Sequence, residues 1–323
     1  MEIGSDFNLN IKKENNLFFA SGRIAIKNIL DKFIKNNNDT CLIPNYLCDS
    51  ILYCFTNYEF YKINNELNID IENLKDKIQN NNYKLIFIIN YFGRIDKNID
   101  LIKKLCENKN ILIIEDFTHN LYSTNLYGDV SICSYRKTLA TPFGAIVIDQ
   151  HNLLKIKQKS YFNLKYLFYN LLKINGMLFK NIHYFKFIWY PLLKYCENNL
   201  KYIDYNGFDY INYLFYKYYY DSDNRLIRLN NYKLLNETLK YKSILNENLY
   251  FTYPMYIESN EKRDKIRELC SIKKLYCPIY WPLNFDKESK CNHHISNHIL
   301  CIPIDQRYDK KNMNFIINLI NNL

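Results

Sequence analysis

The sequence predicts an α/β fold, with a large domain built on a mostly parallel central sheet and a smaller C-terminal α/β domain. Three observations carry this reading. Ile111, Leu112, Ile113 and Ile114 form a short β-branched apolar run that ends on two acids, Glu115 and Asp116. That content and length suit a strand buried on both faces of a parallel sheet. A second strand-like run, 129–135, ends on Arg136 and Lys137. Before, between and after these runs, apolar stretches of strand length alternate with stretches of helical period. In open sheets of this class chemistry sits at the carboxyl ends of the strands, so Asp116 and Lys137 are the first candidate functional residues.

Taken in order, residues 1–16 are polar and peripheral. Ile26, Ile29, Leu30, Phe33 and Ile34 recur at helical spacing, which predicts a helix over 22–35, with Ser21 and Gly22 as its start signal. The N–H groups of Arg23 and Ile24 and the positive helix end would face an anion there. A strand follows at 40–43 and a helix at 49–55, joined through Pro44 and Asn45. Next come a strand at 58–63, a helix at 69–78, and a strongly apolar strand at 84–90 that leads into Tyr91, Phe92, Gly93 and Arg94. Arg94 is a candidate anion contact. A helix at 97–108 precedes the run to Asp116, and a sheet strand at 143–148 follows Lys137. Residues 151–230 are crowded with aromatics and lysines and read as helices for packing and dimer contact, with a membrane surface as the alternative. The expected domain boundary is at 230/231. Beyond it, strands are expected at 250–257, 275–281 and 299–304, and helices at 260–274 and 309–321.

Composition narrows the class. The chain has 323 residues, 48% of them hydrophobic, enough to bury a large core rather than remain disordered. The formal net charge of +10 suits an anionic partner such as a nucleotide, a phosphate or a membrane face, unless the lysines are merely solvated. No nucleic-acid partner is expected. Ten cysteines show no framework, and Cys41, Cys48, Cys54 and Cys133 sit in apolar runs, as free thiols of a reducing cytosol do. A cytoplasmic location is expected, with no signal peptide and no spanning helix. Cys291, His293, His294, His298 and Cys301 lie close together in sequence, but Cys301 falls in a strand-like run and no CxxC pair occurs. No metal is therefore expected, and His294 is a candidate substrate contact. No phosphate-binding or dinucleotide glycine loop, zinc-protease motif or nucleophile elbow is present.

An acid and a lysine that each leave a strand end, about twenty residues apart, suit pyridoxal phosphate, which takes a lysine as its Schiff-base partner and a carboxylate at its pyridine nitrogen. A surface lysine and a capping acid would look the same. The segments IEDFTH (114–119) and GDVSICSYRKTLATPFGA (128–145) resemble the DegT/DnrJ/StrS family of pyridoxal-phosphate sugar aminotransferases, of aspartate aminotransferase-like type I fold. The resemblance implies pyridoxal phosphate as cofactor, Lys137 as the Schiff-base lysine and Asp116 at the pyridine nitrogen. It also implies His119 near the ring or its 3′-oxygen, Ser134 on the phosphate, and the turn of Ser21, Gly22, Arg23 and Ile24 around that phosphate. Burial of Lys137 would make a neutral amine available.

The sequence departs from the family pattern in several places. Arg23 stands where a threonine is usual. Cys48 fills the slot of a ring-stacking aromatic, with Tyr46 two residues earlier as another cover. Asn90 or Tyr91 replaces a histidine. The lysine follows Ser134 by three residues rather than five, and the motif through which a partner subunit reaches the phosphate is not clear. The implied activity is transfer of an amino group, by family habit from glutamate, to a keto-sugar nucleotide for surface polysaccharide, by a homodimer. Decarboxylation or another amino-acid reaction on the same fold is the alternative, as is a non-catalytic protein that kept the fold.

Overall fold

In the computed structural model the residues described are 16–156, 158, 163–179, 186–200, 207–245, 247, 249–283 and 293–323. A seven-stranded sheet forms the centre. In chain order its parts are β1 (Asn16–Phe19), α1 (Gly22–Phe33), β2 (Cys41–Pro44), α2 (Asp49–Leu52), β3 (Tyr58–Tyr61), α3 (Ile71–Asn80), β4 (Leu85–Ile89), α4 (Ile99–Glu107), β5 (Leu112–Asp116), β6 (Val130–Cys133) and β7 (Ala145–Ile148). The strand order is β1-β7-β6-β5-β4-β2-β3. Strands β3, β2, β4, β5 and β6 run parallel, whereas β7 is antiparallel to both β6 and β1. The parallel strands β2, β4 and β6 are buried at every residue, because helices cover both faces of such a sheet and leave no room for polar alternation. Helix α1 buries Ile24, Ala25, Ile26, Ile29 and Leu30, the apolar stripe that its 3.6-residue period creates.

Four helices follow, α5 (Leu164–Leu178), α6 (Lys186–Leu200), α7 (Tyr210–Tyr219) and α8 (Asp223–Thr238). A two-stranded antiparallel sheet of β8 (Tyr253–Tyr256) and β9 (Ile299–Ile302) then carries α9 (Asn260–Ile272), α10 (His293–His298) and α11 (Lys310–Asn321). Helix α8 runs unbroken through the boundary expected at 230/231 and packs on α11 and β8.

Three expectations need correction. Asn16, read as the end of a peripheral segment, opens an edge strand, Asn16–Phe19, paired with β7. Residues 275–281 form no strand. Pro278 has no N–H to offer a ladder, Pro282 follows the segment directly, and the Cys301 N–H of β9 donates to the Pro278 carbonyl at 3.0 Å. The helix expected over 49–55 closes after Leu52. The cysteines behave as read: all nine described are free, and eight of them are buried.

Candidate active site

The carboxyl ends of β5 and β6 and the start of α1 converge on a cavity of about 270 Å³, the place where an open parallel sheet leaves a crevice. Ser21 caps α1, its Oγ accepting from the Ile24 N–H at 3.3 Å. Gly22 packs so closely on β6 that an added Cβ would lie 3.3 Å from Ser134 Cβ. The Ser134 N–H donates to Thr118 Oγ1 at 3.0 Å, and the Thr118 N–H donates to Asp116 Oδ1 at 2.9 Å. One short chain of bonds therefore joins the ends of the two strands. Burial pushes the Asp116 carboxyl up to about 6, although the Thr118 bonds and the Lys137 charge pull the other way. Its neighbour Glu115 points to the opposite side of β5 and is wholly structural. Its carboxylate accepts from Asn90 Nδ2 (2.8 Å), the Tyr127 N–H (3.0 Å), the Gly128 N–H (3.1 Å) and the Ser131 hydroxyl (2.8 Å).

His119 lies in the same wall. Its Nδ1 accepts from the Phe92 N–H at 3.2 Å, which leaves the proton of a neutral ring on Nε2. Phe251 stacks on the imidazole at 3.8 Å, with Phe92 and Trp281 also parallel to it at 5.8 and 5.7 Å. Burial pushes its pKa down to about 3, helped by the Lys137 charge.

Of the residues expected to act, Ser21, Gly22, Arg23, Cys48, Asp116, His119, Ser134 and Lys137 all line this cavity. Lys137 stands exposed at its mouth, not buried as expected, because a 3₁₀ turn (Tyr135–Lys137) lifts it off the end of β6. Ile24 does not line the cavity: its side chain is in the core and its N–H is already taken by Ser21. Tyr46 is also off the cavity. It is fully buried, its hydroxyl donates to the Tyr280 carbonyl, and its ring rests on Tyr91 and Trp281 at 5.6 and 5.5 Å. Arg94 is turned away, donating to the carbonyls of Glu66 (3.0 Å) and Leu67 (2.7 Å) and pairing with Glu247 at 3.7 Å. His294 is exposed on α10, stacked on His298 at 4.3 Å and away from the cavity. His293 and Cys291 lie outside the residues whose side chains are described, and among those that are, no cluster of three metal-ligating groups occurs.

The cavity also contains Thr118, Arg136, Asn198 and Trp281, which the sequence did not single out. Arg136 adjoins Lys137 and could have been read with it. Trp281 and Asn198 arrive from distant parts of the chain, and no local pattern announces them. A second cavity of about 450 Å³ meets the first at Lys137 and is lined by Arg228, Phe251, Tyr280, Asp305 and Arg307 among others. There the Arg307 guanidinium grips Asp305 through two bonds, at 2.6 and 2.8 Å. Burial alone would raise the Asp305 carboxyl, but Arg307 outweighs it and holds the group below its ordinary value.

The donor set has a clear chemical bias. Arg23 and Arg136, the hydroxyls of Ser21, Thr118 and Ser134, and a helix start suit a phosphate. The buried Asp116 carboxylate suits a cationic ring N–H, and the Lys137 amine suits a carbonyl carbon. These residues fit pyridoxal phosphate.

Comparison with known proteins agrees. Residues 15–151 match the model of the DegT/DnrJ/EryC1/StrS aminotransferase family. No curated protein matches the sequence. Among solved structures, a DegT/DnrJ/EryC1/StrS aminotransferase from Brucella abortus is similar with 14% identity and a TM-score of 0.62, over 95% of this chain and 85% of that one. NtdA from Bacillus subtilis, solved with the bound cofactor pyridoxamine phosphate, is similar at 16% identity and a TM-score of 0.62, over 94% and 72% of the two chains. Helicobacter pylori PseC, an aminotransferase in pseudoaminic acid biosynthesis, has 15% identity and a TM-score of 0.61, over 94% and 85%. At these identities the likeness establishes the type I fold of pyridoxal-phosphate aminotransferases.

Proposed function

From the match of residues 15–151 to the DegT/DnrJ/EryC1/StrS aminotransferase family we propose that the chain is a member of that family and moves an amino group, with pyridoxal phosphate, onto a keto-sugar nucleotide. The observation that carries this reading is the convergence of Lys137, Asp116 and the start of α1 on one cavity. Pyridoxal phosphate, when bound, supplies the electrophilic carbon and the electron sink.

The protein's own residues do the rest. Arg23, Arg136, Ser21 and Ser134 bind the phosphate. Asp116 holds the proton on the ring nitrogen, so that the ring stays electron-withdrawing. Lys137 Nζ would hold the cofactor covalently and, once displaced by an amino donor, would take the proton from the donor's α-carbon and return it to the cofactor-side carbon. Its place at the junction of two cavities supports this role, because the amine can serve a substrate in the second while the first is filled. His119, neutral and with its proton on Nε2, would face the ring oxygen, and Trp281, which rests on Tyr46, would supply the aromatic contact that Cys48 lacks. Glutamate as donor, a surface polysaccharide as destination, a homodimer, a cytoplasmic location and a division into a large and a smaller C-terminal domain complete the proposal. No described helix is long and apolar enough to cross a membrane.

The test is the near-visible spectrum of the protein with pyridoxal phosphate, before and after borohydride, beside Lys137→Ala. A yellow band that borohydride fixes at residue 137, absent in the variant, is the expected result. An unchanged band in Lys137→Ala would remove that lysine from the mechanism. Amino transfer from glutamate to keto-sugar nucleotides is then assayed directly.

A further inference from the structure

Helix α5 is amphipathic in the wrong sense for a helix packed on a core. Its buried face carries Tyr166, Tyr169, Asn170, Lys173 and Gly176. Its exposed face carries Leu164, Phe168, Leu171 and Leu178, which are 71%, 54%, 51% and 70% accessible. At 100° per residue these four fall within an arc of about 80°. The buried polar groups are used inside, where Asn212 Nδ2 bonds Asn170 Oδ1 at 2.8 Å and the Tyr166 hydroxyl at 2.9 Å. The outward leucines therefore do not result from a helix rolled out of register. Helix α6 packs beside α5, its Leu193 filling the space a side chain at Gly176 would need, and it adds exposed Phe187, Ile188 and Tyr190. A lined-up apolar face of this kind marks an interaction surface.

Charge identifies what covers it. Residues 150–196 contain eight lysines and no aspartate or glutamate, a formal +8. Lys173 is turned inward over the Phe143 ring, so on the described outer face the charge rests on Lys165 and Lys194, which are exposed on α5 and α6. A two-fold contact of this face with a second copy would set one cationic segment against another. An anionic lipid surface instead takes both components, the leucines in its acyl boundary and the lysines among its headgroups. We propose that the α5–α6 face docks the protein on an anionic membrane surface. Because Asn198 of α6 also lines the active-site cavity, the docked helix pair forms part of the rim of that site. The inference stands independently of the proposed reaction.

The experiment is flotation of the full chain with phosphatidylcholine vesicles, with and without about one third phosphatidylglycerol, at low and high ionic strength. Binding to the anionic vesicles alone, weakened by salt, is expected. The triple variant Leu164→Ser, Phe168→Ser, Leu171→Ser is expected to lose binding at least tenfold with an unchanged circular dichroism spectrum. If that variant does not fold, the pair Lys165→Gln, Lys194→Gln decides, with a loss of about fivefold per lysine expected. No flotation, equal flotation with neutral vesicles, or a triple variant that turns a dimer into a monomer while vesicle binding persists would each overturn the proposal. The last outcome would assign the face to a second copy.

Discussion

His119 shows how far a single side chain is set by its surroundings. Stacked on Phe251 and accepting the Phe92 N–H, it cannot take up a second proton without leaving a buried charge, and its pKa falls to about 3. In the unfolded chain it titrates near 6.5. Between those values the unfolded state binds a proton that the folded state refuses. The stability it contributes is therefore complete above pH 6.5 and is lost as pH falls, by up to about 1.4 kcal/mol per pH unit. Asp116 and Asp209 act in the opposite sense. Burial raises each from 3.8 to about 6, so each adds stability at low pH that disappears as pH rises through 6. The two effects partly cancel in the wild-type profile, and a variant is needed to separate them. His119→Gln should narrow its stability deficit relative to wild type as pH falls from 7 to about 4.5, read by urea unfolding at each pH. A deficit that stays constant over that range would show that His119 is not held neutral.

At the scale of elements, the turn that carries Lys137 depends on its fit to the start of β7. Gly144 sits at φ +114°, and a Cβ there would lie 2.1 Å from the Tyr135 hydroxyl, inside the 3₁₀ turn that ends at Lys137. Both the left-handed backbone and the overlap oppose any side chain. Gly144→Ala should cost about 3–5 kcal/mol in chemical denaturation and should weaken pyridoxal phosphate binding in whatever protein remains folded. A loss below about 1 kcal/mol would mean that the turn can shift freely. This part of the structure was legible beforehand because its determinants are local: a β-branched run, an acid at its end, a glycine after the lysine. The strands β2, β4, β5 and β6 and the helices α1, α3 and α4 were visible for the same reason. Where determinants are not local, the reading failed. Tyr46 lies close in sequence to the cavity but is turned into the core by Trp281, a residue 235 positions later. Arg94 is claimed by the carbonyls of Glu66 and Leu67, which no spacing rule reveals. The apolar run 275–281 has strand-like content, but Pro278 within it and Pro282 directly after it deny it a regular ladder.

At the scale of the whole molecule, the question is what holds the Lys137 turn, the central helices and the C-terminal elements in one arrangement. Arg228 of α8 makes that junction. It is 2% exposed. Its Nε donates to Gln306 Oε1 at 2.8 Å, its Nη1 to the Tyr250 and Phe251 carbonyls at 3.2 and 3.4 Å, and its Nη2 to the Thr138 carbonyl at 3.0 Å. Gln306 Nε2 reaches the same Thr138 carbonyl at 3.2 Å. Thr138 directly follows Lys137, and Phe251 is the ring against His119, so both walls of the site end at this one guanidinium. Burial pulls the Arg228 pKa down, and the nearby Asp305 carboxylate works against that. The charge is retained because a planar fork satisfies carbonyls in three directions at once, which a lysine cannot do. Arg228→Met keeps the volume and removes every donor. The Tyr250 and Phe251 carbonyls and Gln306 Oε1 lose this donor and the Thr138 carbonyl keeps only Gln306 Nε2, which should cost about 3–5 kcal/mol of stability, and Arg228→Lys should recover only a minor part. Because the loss falls on the carbonyl beside Lys137, pyridoxal phosphate binding should weaken even under conditions where the variant is fully folded. A variant with unchanged urea midpoint and unchanged cofactor affinity would show that the two walls are aligned by other contacts, and that Arg228 only fills space between them.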